Sequence, residues 1–150
     1  GVLNGDHVTI LDMVESHYEM KITSPAGTRL PLLAGATGKV FLSQFEEKKA
    51  REIIPKMGLV RFTSKSIVDQ KKFFKEVEET RIRGYAIDDE EYMLGVKAIA
   101  APIQTLSSPP AAIWVVGFTS SLNDEKMDKV VLEIRKTAEE ISHLMKDYFR

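Results

Sequence analysis

GVKAIAAPIQTLSSPPAAIWVVGF, residues 95–118, decides the architecture. Its two ends, Gly95–Ile103 and Ala111–Phe118, are short apolar runs that read as buried strands. The polar, proline-bearing turn QTLSSPP at 104–110 joins them as a hairpin-like connection, which points to an antiparallel sheet. Pro102 sits near a strand end, where a missing ladder donor is tolerable. The clearest helix of the chain follows. Asn123 is its N-cap, Asp124 and Glu125 suit the positive end of its dipole, and it runs to about Tyr148. Met127, Val131, Ile134, Ala138, Ile141, Met145 and Tyr148 recur at alternating spacings of four and three, giving one apolar side. That side either packs on the sheet or, as a seam of about three heptads, serves self-association.

Upstream, His7–Val14 alternates loosely and reads as a strand. Tyr18–Thr23 reads as a second, with Glu15–His17 as the turn. SPAGT at 24–28 is loop chemistry. Pro31 interrupts any earlier helix. A short helix begins near Gly35 with Val40, Phe41 and Phe45 on its buried side. EEKKAREII at 46–54 is another, closed near Pro55 and Gly58. Asp69 caps a third helix, Gln70–Arg83, whose apolar side is Phe73, Phe74, Val77 and Ile82, with Gly84 at C′. GYAID at 84–88 leads into the acidic turn DDEE at 88–91. The order is strands, helices, strands, long helix: an α+β or α/β sandwich of helices on an antiparallel sheet.

The 150 residues fit one domain, and no repeat, low-complexity tract or internal linker divides them. Such a chain buries roughly 68–70% of its unfolded surface, enough for a core without staples. The absence of cysteine excludes a disulfide framework, a thiol nucleophile and Cys-ligated zinc, and fits a reducing, cytoplasmic setting. A net charge of -1, from 21 basic and 22 acidic side chains, is not the basic excess of a domain that grips DNA phosphates. The clusters Lys48/Lys49/Arg51 and Lys71/Lys72/Lys75 read as solvated helix faces. No apolar run is long enough for a transmembrane helix, and no signal peptide is visible. With no initiator Met, the chain is expected to be the inside of a longer protein or a trimmed piece of one.

Four stretches together resemble the effector domain of the IclR family of transcription regulators. They are GTRLPLLAGATGKVFL at 27–42, RIRGYAIDDEE at 81–91, GVKAIAAPI at 95–103, and AAIWVVGF followed by the long helix with TAEEIS at 137–142. Phe62–Thr63 to Asp69 also looks like that family's loop before its middle helix. The resemblance runs from about residue 6 to residue 145. It implies a GAF/PAS-like fold, a central antiparallel sheet flanked by helices, with a ligand pocket between the sheet and a layer of loops and short helices. It also implies one effector-binding domain over residues 1–150. The family's N-terminal winged helix-turn-helix is absent from this chain, so DNA would be bound only through that missing unit. A homodimer or homotetramer, no membrane and no cofactor are the further expectations.

The same resemblance supplies candidate pocket residues. It places the backbone amides of Ala36 and Thr37, next to Gly35, on a ligand carboxylate. Small residues at a loop-to-helix transition admit a ligand to the backbone, and free N–H groups at a helix start attract anions. The residues alone favour simple helix-on-strand packing. A phosphate-binding P-loop is excluded, because its first Gly falls on Leu33 and Lys39 is followed by Val40. Asp88 matches a polar pocket position that accepts from a ligand hydroxyl, or is a turn aspartate of DDEE. Its neighbours have no partner at metal-ligand spacing, so no metal is assigned. Val96 and Ala98 match lining positions. Trp114 and Val116 fall where a keto-acid-binding relative carries small hydroxyl residues. Either the effector is larger and more apolar, an aromatic or branched acid resting on the indole, or Trp114 fills the cavity or faces the other side of the sheet. Leu32, Leu33 and Met20 are candidates for further apolar wall.

Catalysis has no support. His7, His17 and His143 are the three histidines, and neither a nucleophile elbow nor HExxH is present. The expected function is a sensor for a small carboxylic-acid effector that modulates DNA binding by the full-length protein. The alternative is a GAF-like domain with an occluded pocket that serves only oligomerisation.

Overall fold

The computed structural model describes residues 1–106 and 109–148; residues 107 and 108 of the QTLSSPP turn and the last two residues lie outside the described residues. The elements are β1 (Val2–Asn4), β2 (His7–Thr9), β3 (Arg29–Pro31), α1 (Gly35–Leu42), α2 (Glu47–Met57), α3 (Gln70–Arg83), β4 (Ala86–Asp89), β5 (Val96–Ile103), β6 (Ala111–Phe118) and α4 (Asp124–Tyr148). The strands form one six-stranded sheet in the order β3-β2-β1-β6-β5-β4, and every neighbouring pair is antiparallel.

The 95–118 hairpin is the centre of the sheet. Its eight-residue strands pair along their whole length, from Val96 opposite Phe118 to Ile103 opposite Ala111. β4 stops opposite Ala100, so Pro102 lies beyond the reach of that neighbour. Period-two alternation splits the hairpin's side chains between two layers. Ile99, Ala101 and Ile113 face α4, packed with Met127, Ile134 and Ala138. Ala86, Ala100 and Ala112 face α1 together with Ala98 and Trp114, and meet Ala36, Val40 and Phe41. Alanines on that face let α1 lie close to the sheet. All eight of its residues are buried as a result. The other side of α1 is closed by α2 and α3 through Leu42, Ala50, Ile54, Phe73, Phe74 and Val77. Full burial of a Phe or Leu in such a layer contributes about 1.5–3 kcal/mol.

The helix ends follow their sequence signals. Asp69 Oδ1 accepts from the Lys72 amide at 2.8 Å, and Gly84 closes α3 in the left-handed region at φ 79. Asn123 Oδ1 accepts from the Lys126 amide at 3.0 Å. Pro55 does not close α2 as expected. It sits inside the last turn, where its missing N–H forgoes the bond to the Arg51 carbonyl, and the helix ends at Gly58. The stripe of α4 packs on the sheet through its first half. Further along, the buried face drifts to Ser142, whose hydroxyl donates to the Ala138 carbonyl, and Tyr148 is 85% exposed. No helix among the described residues is long and apolar enough to cross a membrane.

The first hairpin differs from the sequence expectation. The strand beginning at His7 ends at Thr9, and Tyr18–Thr23 forms no strand. Leu11, Val14, Tyr18 and Met20 are all exposed, Val14 at 98%, so this segment has no layer to bury them in. The partner of β2 is instead Arg29–Pro31. Gly27 turns the chain at φ 88, its amide donates to the Ile10 carbonyl, and Ile10 in turn bonds the Thr28 carbonyl. Pro31, with no N–H, suits this edge position. On the other side β2 pairs with β1 across a two-residue turn, Gly5–Asp6, with Gly5 at φ 64.

Candidate functional site

The sheet register brings the expected site residues to one place. Asp88, Ala98 and Val116 lie in one cross-strand row, and Trp114 stands diagonally beside Ala98, opposite Ala100. Val96 shares their side of β5 by alternation. This is the face covered by α1, so the row runs directly under the helix start that carries Gly35, Ala36 and Thr37. The inner end is buried: Asp88 is 6%, Ala36 2% and Thr37 8% exposed. Val96, Ala98 and Trp114 are half-buried, and Val116 reaches the surface.

Gly35 has φ +52, and an ideal Cβ there would stand 2.0 Å from Asp88 Oδ2. The glycine is required twice, for a left-handed backbone and for the space the carboxylate occupies. Gly38, one turn on, permits a second close approach, since its Cβ would meet the Leu32 carbonyl and Leu33 Cα at 2.9 Å. Ala34 at the N-cap gives α1 no side-chain cap, and the Thr37 hydroxyl turns back to the Ala34 carbonyl at 2.7 Å. The first-turn amides therefore meet no capping side chain, and the Asp88 carboxylate lies against Gly35 at the helix start.

DDEE forms a turn that borders the candidate site. Asp88 and Glu91 point inward, while Asp89 and Glu90 pair outward with Lys97 and Lys65. Asp88 Oδ1 accepts from the Glu91 amide at 2.6 Å. Burial pushes the Asp88 carboxyl above the ordinary aspartate range, opposed by that amide and by the charge of Lys39. Lys39, read from sequence only as the end of a failed P-loop, is 1% exposed. Its Nζ donates to Glu91 Oε1 at 2.7 Å and to the Ile87 carbonyl at 2.9 Å, with Glu76 Oε2 at 3.4 Å. Burial also pushes Glu91 up, again opposed by Lys39. A lysine inside the apolar run GATGKVFL was the available signal, because a lysine on a wholly buried helix must be paired.

Outside this turn, the Thr63 hydroxyl donates to the Glu90 carbonyl at 2.7 Å and the Ser66 hydroxyl to the Glu91 carbonyl at 2.7 Å. The stretch before α3 thus straps the turn that carries Asp88. Trp114 packs into the α1-side core, and its indole edge lies so close to Gly1 that a Cβ there would come within 2.5 Å. It does not face the other side of the sheet. Leu32 and Leu33 belong to the packing around α1. Met20, expected as wall, is 78% exposed on the β2–β3 connection and takes no part. His143 is exposed, and among the described residues no group of three His, Asp or Glu side chains is placed to hold a metal ion.

Residues 1–143 match the family model described as bacterial transcriptional regulator IclR, C-terminal. The chain is 34% identical over 143 residues to the HTH-type transcriptional regulator BhcR of Paracoccus denitrificans, covering 95% of this chain and 51% of BhcR. It is 32% identical over 139 residues to the transcriptional repressor IclR of Escherichia coli, covering 91% of this chain and 51% of the repressor. It thus spans about half the length of the curated relatives it matches. Among solved structures, the inducer-binding domain of the PobR transcription factor from Acinetobacter, a double mutant in complex with 3-hydroxybenzoic acid, is 32% identical at a TM-score of 0.80. That match covers 95% of this chain and 85% of the PobR chain. These relatives are transcriptional regulators, not enzymes.

Proposed function

The chain belongs to the IclR family of bacterial transcriptional regulators, matching its C-terminal domain, and on that premise we propose that residues 1–150 form one effector-binding domain that senses a small organic acid. The observation that carries this reading is the start of α1: a helix N-terminus with no side-chain cap, facing a buried carboxylate across a glycine. The effector's carboxylate takes the amides of Ala36 and Thr37, where helix-end N–H groups favour an anion. Asp88 accepts from a hydroxyl of the same molecule. Trp114 and Val116 close the far side with apolar surface, so the effector is an aromatic or branched hydroxy acid rather than a two-carbon keto acid. The ligand in the PobR complex, 3-hydroxybenzoic acid, has this chemistry.

In the longer regulator, an effector shifts the spacing of N-terminal DNA-binding domains only if it binds one quaternary arrangement more tightly than another. A thermal-shift screen against glyoxylate, lactate, benzoate and 3-hydroxybenzoate tests the reading. A ligand of the folded state raises Tm with concentration, adding about 2.7 kcal/mol at a hundredfold excess over Kd. We expect 3-hydroxybenzoate to stabilise most, Asp88→Ala to abolish the shift, and Trp114→Ser to move the preference towards glyoxylate. No shift from any of the four at millimolar concentration would overturn the proposal.

A further inference from the structure

We propose that Lys39 is a positioning residue for effector binding, because its ammonium grips the chain on both sides of Asp88 and so fixes that carboxylate against the start of α1. Lys39 projects from α1 itself, so the helix that presents the anion-binding amides also holds their acidic neighbour in place. Its contacts bracket Asp88: the Ile87 carbonyl immediately before it and the Glu91 carboxylate three residues after it. The Glu91 amide also bonds Asp88 Oδ1, so Glu91 is held by its side chain while its backbone holds Asp88. Between them Glu90 adopts φ 62, unusual for a residue with a side chain. That conformation persists because Thr63 and Ser66 hold the turn from outside while Lys39 holds it from inside.

Packing alone does not require an ammonium here. A methionine has a similar stem and no desolvation penalty, and replacing a whole buried ion pair, both partners together, by apolar residues is often neutral or stabilising. The charged groups of this cluster come from three elements: Lys39 on α1, Glu76 on α3, which pairs with Lys39, and Asp89 and Glu91 on the turn of Asp88. The outer pairs Lys65–Glu90 and Lys97–Asp89 flank them. Lys39 is thus the buried cation set against Asp88, Glu91 and Glu76, and its loss leaves carboxylates facing the place where an anionic effector arrives. The role rests on the proposed effector site, but part of its test needs no ligand.

The experiment is an NMR pH titration of the Asp88 carboxyl carbon in the 150-residue chain, for wild type, Lys39→Met and Glu91→Gln, followed by 3-hydroxybenzoate affinity across pH. Lys39→Met is expected to move the Asp88 titration to higher pH. Glu91→Gln leaves Lys39 less compensated and is expected to move it to lower pH. Both variants are expected to weaken 3-hydroxybenzoate roughly tenfold, as for coupled contacts that do not touch the ligand, and to displace its pH profile in those opposite directions. If Lys39→Met does not fold, Glu91→Gln decides alone. An Asp88 titration in Glu91→Gln equal to wild type, or unchanged affinity and pH profile, would overturn the role. If 3-hydroxybenzoate fails to bind wild type while the titration shifts as stated, the positioning of Asp88 stands and the choice of effector falls.

Discussion

Gly35→Ala is expected to destabilise the domain by about 2–5 kcal/mol, from a left-handed backbone cost of about 1–2 kcal/mol and an overpacking cost of about 1–3 kcal/mol. The new methyl has nowhere to go. On the present backbone it stands 2.0 Å from Asp88 Oδ2, and that carboxylate is itself held by the Glu91 amide. Relief requires either rotating Asp88 away or lifting the first turn of α1 from the sheet. Both disturb the proposed effector site, so the variant should lose ligand stabilisation as well as intrinsic stability. Urea denaturation checks it: the midpoint should fall with the slope unchanged. A midpoint within error of wild type would mean that Asp88 does not rest on this glycine.

Lys39→Met is expected to cost about 3–5 kcal/mol at neutral pH, the usual penalty for removing one member of a buried ion pair. The loss has a definite pH dependence. Asp88 and Glu91 titrate above their ordinary values of 3.8 and 4.5, so the stability they contribute is full below those values and is lost as pH rises through the folded values. In wild type Lys39 limits both rises. Without it the folded state binds protons up to higher pH, so the penalty of Lys39→Met should grow as pH rises above the ordinary carboxylate range. Denaturant melts at an acidic and at a neutral pH measure this. An equal penalty at both would show that the ammonium acts through packing alone.

What was legible in the sequence followed local chemistry. The 95–118 hairpin, the Asp69 and Asn123 caps and the Gly84 closure each depend on a few neighbouring residues, and each appears where its signal lies. The N-terminal strands depart from the sequence expectation because alternation from His7 to Val14 and the β propensity of Tyr18–Thr23 say nothing about whether a layer exists to bury them. The Gly5–Asp6 turn signal, directly after Asn4, pointed to the true hairpin. At the site, the resemblance marked the residues that share one face, and the register of β4, β5 and β6 aligns Asp88, Ala98 and Val116. The Lys39–Glu91 pair escaped because its partners are 52 residues apart and meet only through the fold. DDEE looks like uniform solvated acid in one dimension, whereas the turn sends two of its carboxylates inward and two outward.

The central claim, an acid effector held between the start of α1 and Asp88, is tested most directly by amide NMR of the 150-residue chain titrated with 3-hydroxybenzoate. The expected result is a saturable shift centred on the amides of Ala36 and Thr37, on Asp88 and Ala98, and on the Trp114 indole N–H, with α4 unaffected. Shifts confined to the groove along α4 lined by Arg135, Glu139 and His143, or none that saturate, would contradict it.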